Sequence, residues 1–232
     1  MAINIVFMLT IILGLAMSLA HHFSKDFVNK LKHHHNKMLS FSAGVSITYL
    51  FMDLFPYFSD GSASIGRHLF FFVLGGFILL HLAEKYIYSH FYRNKLRREL
   101  ALENAAVSFT YHFIVGIILV SFASTNPWEA MLFFIPVFLH TSFNPVTLMA
   151  SKSPIIRIVL ASSTLLGVLF SMFIFPSPSE FTLFALIGFI IGMLSYTVIR
   201  HSVPEGRNGR PAYLIFGLAS YTAFQLLVAG IA

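Results

Sequence analysis

His112, His140 and Asn144 have the types and spacing to hold a cation in the middle of this sequence. Two imidazoles and an amide oxygen suit a borderline divalent ion such as Zn²⁺, with water completing the shell. They sit in two apolar runs that also carry Ser108, Thr110, Tyr111, Thr141, Ser142 and Thr147, with Pro136 and Pro145 in the second. Asn144 lies one helical turn after His140 and shares its face. Pro145 has no N–H to give, so the carbonyl of Thr141 is expected to lose its helical partner and face a cavity. A single intramembrane His or Asn often does no more than bridge packed helices, for about 0.6–2 kcal/mol. A cluster of ionisable groups at one depth points instead to a pathway.

Asp53 joins the three as a candidate metal residue, placed where it would draw cations into an outer vestibule. His21, His22 and His33–His35 fall beside four lysines and read as a solvated loop, because ammonium groups oppose cation binding. His81, Glu84 and Lys85, at the end of a third apolar run, read as structural groups at a membrane boundary. Gly75 and Gly76 read as sites of close helix approach. No His-x-x-x-His or Glu-x-x-His pair falls inside a span, and no Gly-x-Ser-x-Gly elbow is present. No catalytic residue is expected, and an intramembrane metal hydrolase is the weakest reading.

The elements that must position these groups are eight apolar runs at residues 4–20, 38–57, 68–90, 105–124, 130–150, 155–176, 181–200 and 212–231. Each is long enough to cross a hydrocarbon core of about 30 Å as a helix. Of the 15 Lys and Arg residues, all but Arg67 fall in loops or run ends on one side of this ladder. By the positive-inside rule that side is cytoplasmic and both termini are outside. The expected fold is a single all-α membrane domain, 1–232, with eight transmembrane helices. Composition agrees: 57% hydrophobic, 10% charged, 27 Phe and mean hydropathy +0.79 exceed what a soluble core of this size requires. The +6 charge is spread over short membrane-flanking loops, which fits anionic lipid headgroups and not nucleic acid. With no cysteine, neither disulfides nor thiolate metal sites are available. The first run lacks a basic leading region and has its lysines after it, so it reads as a retained span and not a signal peptide.

Two runs resemble each other. GVSITYLFMDLFP carries Gly44, Tyr49, Asp53 and Pro56, and GMLSYTVIRHSVP carries Gly192, Tyr196, His201 and Pro204. In both, a glycine lies twelve residues before a proline and a polar ionisable group three before it. The two runs cross in opposite directions, so the expected arrangement is an inverted repeat of three, two and three helices, a frequent transporter design.

Over most of its length the chain resembles the ZIP family of divalent-metal transporters. LSFSAGVSITYLFMDLFPY is similar to that family's second helix, and LGGFILLHLAEKY to its third, which ends in a glutamate, here Glu84. YHFIVG at 111–116 resembles the fourth-helix signature His-Asn-x-x-acid-Gly, HTSFNP at 140–145 the fifth-helix signature, and IIGMLSYTVIRHSVPE the seventh helix. The resemblance implies eight helices, outside termini, a plausible homodimer and a metal pathway between helices four and five. The chain departs from the pattern where charge matters. Tyr111 stands at the expected His, His112 at the expected Asn, Val115 at the expected acid, Thr141 at a ligand position and Asn144 at the second acid. Asp53 stands where a histidine is common.

The expected function is therefore carriage of a divalent metal, zinc-like, across a cell membrane, plasma or inner, through His112, His140 and Asn144. The metal is a transported substrate and no cofactor is permanently bound. Partners are the lipid bilayer and the metal ion. Loss of both motif acids sets up the alternative, a transport-incompetent membrane scaffold or sensor, since a divalent ion in a low-dielectric path needs compensating charge.

Overall fold

A computed structural model describes residues 2–31, 33–143, 154–202 and 209–230 of the chain, and no strand occurs among them. The helices are α1 (Ala2–Lys30), α2 (His35–Tyr49), α3 (Phe55–Ile65), α4 (Phe70–His90), α5 (Arg93–Thr125), α6 (Pro127–Phe143), α7 (Pro154–Ala161), α8 (Ser163–Phe173), α9 (Glu180–Thr197) and α10 (Pro211–Ala229). Six helical stretches are long and apolar enough to cross a membrane: Val6–Lys30, His35–Ile65, Arg67–His90, Arg93–Thr125, Glu180–Arg200 and Pro211–Ala229. The chain is thus a multi-pass helical membrane protein.

The boundaries differ from those read off hydropathy in instructive ways. α1 continues ten residues past the first apolar run, so His21 and His22 belong to a helix and not to a loop. α5 starts twelve residues before the fourth run, because Lys95–Glu103 is built of good helix formers. The fifth run is described only as far as Phe143, and Asn144, Pro145 and Thr147 lie outside the described residues. The sixth run is not one helix: α7 and α8 are separated at Ser162, and the Ser163 hydroxyl donates to the Leu160 carbonyl at 2.8 Å.

The bundle is organised by three close helix pairs, α4 with α9, α2 with α10 and α5 with α8. Each pair is a reciprocal glycine contact. A methyl at Gly76 would overlap the Phe189 carbonyl, and one at Gly192 the Val73 carbonyl. Gly44 lies against the Leu214 carbonyl and Gly217 against that of Phe41, Gly116 against Thr164 and Gly167 against Phe113. Glycine is needed at these positions because backbone meets backbone, a common way for helices to associate in lipid. Of the adjacent Gly75 and Gly76, only Gly76 makes such an approach; Gly75 faces open space. α5 is the innermost span, with 61% of its apolar window buried, while α4 and α10 bury 17% each and form the perimeter. Their outward Phe71, Leu79, Phe216 and Leu226 are the lipid-facing surface.

Two π-helical turns interrupt the spans, at Leu50–Leu54 after α2 and Val198–Ser202 after α9. Each begins six residues after one of the paired glycines, Gly44 and Gly192, and each contains the ionisable residue of its repeat, Asp53 and His201. A π turn inserts an extra residue and redirects its side chains, and such turns are frequent at functional sites.

Candidate functional site

His112 and His140 line one cavity. His112 is carried by α5 and His140 by α6, and they are 5% and 7% exposed. His112 Nδ1 lies 2.9 Å from the Ser108 carbonyl, four residues back, and Nε2 lies 2.9 Å from the Thr141 hydroxyl. A carbonyl can only accept, so Nδ1 carries the proton of the neutral ring. That assignment leaves Nε2 with a lone pair beside the Thr141 hydroxyl, whose one proton also has the Val137 carbonyl, at 2.8 Å, as an acceptor. A ring oriented by Nδ1–H on a backbone carbonyl, with Nε2 turned inward, has the outer-shell support usual for a metal-binding histidine.

The ring of His21 stacks on that of His112, with centroids 4.7 Å apart and planes 19° apart. His21 is 2% exposed, and neither of its nitrogens makes a hydrogen bond; the Leu160 backbone lies alongside without reaching bonding geometry. Sequence reasoning placed His21 in solvent because it follows the apolar run. Its i, i+4 relation to Met17 on the buried face of α1 is the signal that locates it.

The cavity holding the two histidines has a volume of about 290 Å³. Its wall along α5 includes Glu103, Val107 and Tyr111 on one i, i+4 row and Asn104, Ser108 and His112 on the adjoining row. α4 adds Glu84, α6 adds Thr141, and α9 adds Met193 and Tyr196. The Tyr196 hydroxyl donates to Glu84 Oε2, and Arg200 Nη2 donates to Oε1 at 3.2 Å. Glu84 therefore belongs to the cavity and not merely to a boundary. Glu103 lies in α5 two residues before the apolar run that begins at 105.

Asp53 is in a different place. With Glu129, Tyr49, Tyr57 and Leu132 it lines a second cavity, of about 190 Å³, at the opposite ends of α5 and α6. Tyr221 donates to Asp53 Oδ2 at 2.7 Å and also lies 3.2 Å from the Leu132 carbonyl, and Gln225 donates to Oδ1. Asp53 thus lines a cavity of its own and is no neighbour of His112 and His140. Between the cavities, Val115, Ile118, Leu119, Phe133, Val137 and Tyr49 pack together, none more than 2% exposed. Val115, at the position where an acid was expected, is part of this apolar plug.

Among the described residues no three His, Asp or Glu side chains converge on one point. A cation beside His112 and His140 would take its remaining ligands from water or from hydroxyl and backbone oxygens. No protein-family model matches the chain, and no curated protein matches it significantly.

Proposed function

We propose that the chain is a carrier for a divalent metal cation, zinc-like, similar in design to the ZIP transporters. The observation that carries this reading is the shared cavity of His112 and His140, with His112 Nε2 turned inward by the Ser108 carbonyl. Imidazole nitrogen is the ligand common to zinc and its neighbours, and a weakly held ion is one that can leave.

The architecture supports it. The eight-span reading, with both termini outside, puts the Arg93–Arg98 end of α5 in the cytoplasm, so the 290 Å³ cavity opens inward and the Asp53 cavity outward. An inverted repeat accounts for the helix pairs: exchange of the first three runs with the last three turns α4·α9 into α10·α2. Gly76 and Gly217 then correspond, as do Gly44 and Gly192. Eight residues after Gly76 and Gly217 stand Glu84 and Gln225, each tied to the π turn of the facing run or to its neighbours. A repeat of this kind, with sites between its halves, is how many carriers expose one centre to alternate faces.

Burial of Val115 favours a second reading, a transport-incompetent scaffold or sensor, since the plug removes one motif acid from the path. Zinc uptake into proteoliposomes separates the two. The carrier reading expects uptake by the parent chain and at least a tenfold loss in a His112→Ala, His140→Ala double variant. No uptake by the parent supports the scaffold; equal uptake by the double variant removes these histidines from the path.

A further inference from the structure

His21 is a buried polar side chain to which the carrier reading gives no task. Thr10, Leu13, Met17, His21 and Ser24 form one row along α1 at steps of three and four, none more than 6% exposed. The row fixes where the His21 ring lies. Both its nitrogens are closed to solvent and make no hydrogen bond. Polar atoms buried in that state are unfavourable, so the ring's position calls for a reason.

The reason lies in what holds His112. Its ring has two contacts in its own plane, the Ser108 carbonyl at Nδ1 and the Thr141 hydroxyl at Nε2. The torsion about the Cβ–Cγ bond of a histidine is broad and roughly two-fold, so the helix alone does not choose which ring edge faces which neighbour. Half a turn about that bond exchanges the nitrogen and carbon edges. The turning edge must sweep through the space over the ring's face. His21 fills that space, its ring centroid 4.7 Å from that of His112 and its plane tilted by 19°. Tyr111 stands edge-on to the same ring, with centroids 5.1 Å apart and planes 83° apart.

We propose that His21 is a positioning residue, whose flat face locks the His112 ring in the orientation that presents Nε2 to the cation. This rests on the carrier reading and deepens it, since α1 then supports the metal site from outside the cavity. Support of this kind commonly decides how well a histidine binds metal. His21 is not itself a ligand in this arrangement. An imidazole lone pair lies in the plane of its ring, and nearly parallel stacked rings direct theirs alongside one another, not at one ion. Nor does His21 wall the cavity that His112 and His140 share.

The test is ring-nitrogen NMR of the full-length protein in detergent, with isotope-labelled histidine and His112 identified by the signal lost in His112→Ala. Without metal, the parent should show His112 as a single Nδ1–H tautomer. His21→Ala should give a mixed or averaged signal, and His21→Phe, which keeps a flat ring and removes the nitrogens, should restore the single form. On titration with Zn²⁺, His21→Ala should weaken the response of His112 at least fivefold, and His21→Phe should stay within twofold of the parent. A parent-like tautomer or parent-like Zn²⁺ response in His21→Ala overturns the proposal. So does a folded His21→Phe that behaves like His21→Ala, because the nitrogens and not the flat face would then matter. If His21→Phe does not fold, the His21→Ala spectra decide. A parent whose His112 ignores Zn²⁺ overturns the carrier reading, and the metal-free spectra then decide whether His21 orients the ring.

Discussion

Asp53 and Glu84 are held in the same manner, each accepting from a tyrosine hydroxyl and from a second side chain on a neighbouring helix. For Asp53 the partners are Tyr221 and Gln225 of α10, so the acid ties the π turn to a perimeter helix. Asp53→Ala leaves the Gln225 amide without this acceptor and Tyr221 with only the Leu132 carbonyl. The expected cost is about 1–3 kcal/mol for groups stranded in a poorly hydrated site. Thermal unfolding in detergent should show a fall of several degrees for Asp53→Ala and a smaller one for Asp53→Asn, which keeps one acceptor. An unchanged midpoint in the alanine variant would show that this contact contributes nothing to holding α10.

Helix pairs are where the packing is least forgiving. Gly76 and Gly75 are neighbours of identical chemistry, but only Gly76 lies against backbone, that of Phe189 on α9. Gly76→Leu should force α4 from α9 and destabilise by about 1–3 kcal/mol or more, as overpacked contacts do. Gly75→Leu should leave the unfolding midpoint within a degree or two. Equal effects would mean that the α4–α9 contact is not the one described. Much at this scale was legible beforehand: the Gly44 and Gly192 segments were recognisably alike, and both proved to lead into a π turn at the same offset. What hydropathy hid was helix outside the apolar window. The sequence reads His21 as a loop residue and does not single out Glu103, because apolar content stops near residues 20 and 105, whereas backbone hydrogen bonding and the i, i+4 faces continue. The reach of α5 beyond the apolar run is what gives the cavity Glu103. The break at Ser162 was invisible for the opposite reason, since Leu160–Gly167 carries no proline or charge to mark it.

At the scale of the whole molecule, two cavities with acidic walls stand at opposite ends of α5 and α6, closed from each other by an apolar plug. A carrier must have such a barrier, and in this conformation the histidines lie on the cytoplasmic side of it under the proposed orientation. The central claim is that a metal binds to those histidines. Crystals of the full-length protein in Zn²⁺, measured at the zinc absorption edge, test it most directly. The account predicts an anomalous peak between α5 and α6, about 2.0–2.1 Å from His112 Nε2 and from a ring nitrogen of His140. Zinc peaks elsewhere on the protein, with none between these two imidazoles, would contradict it.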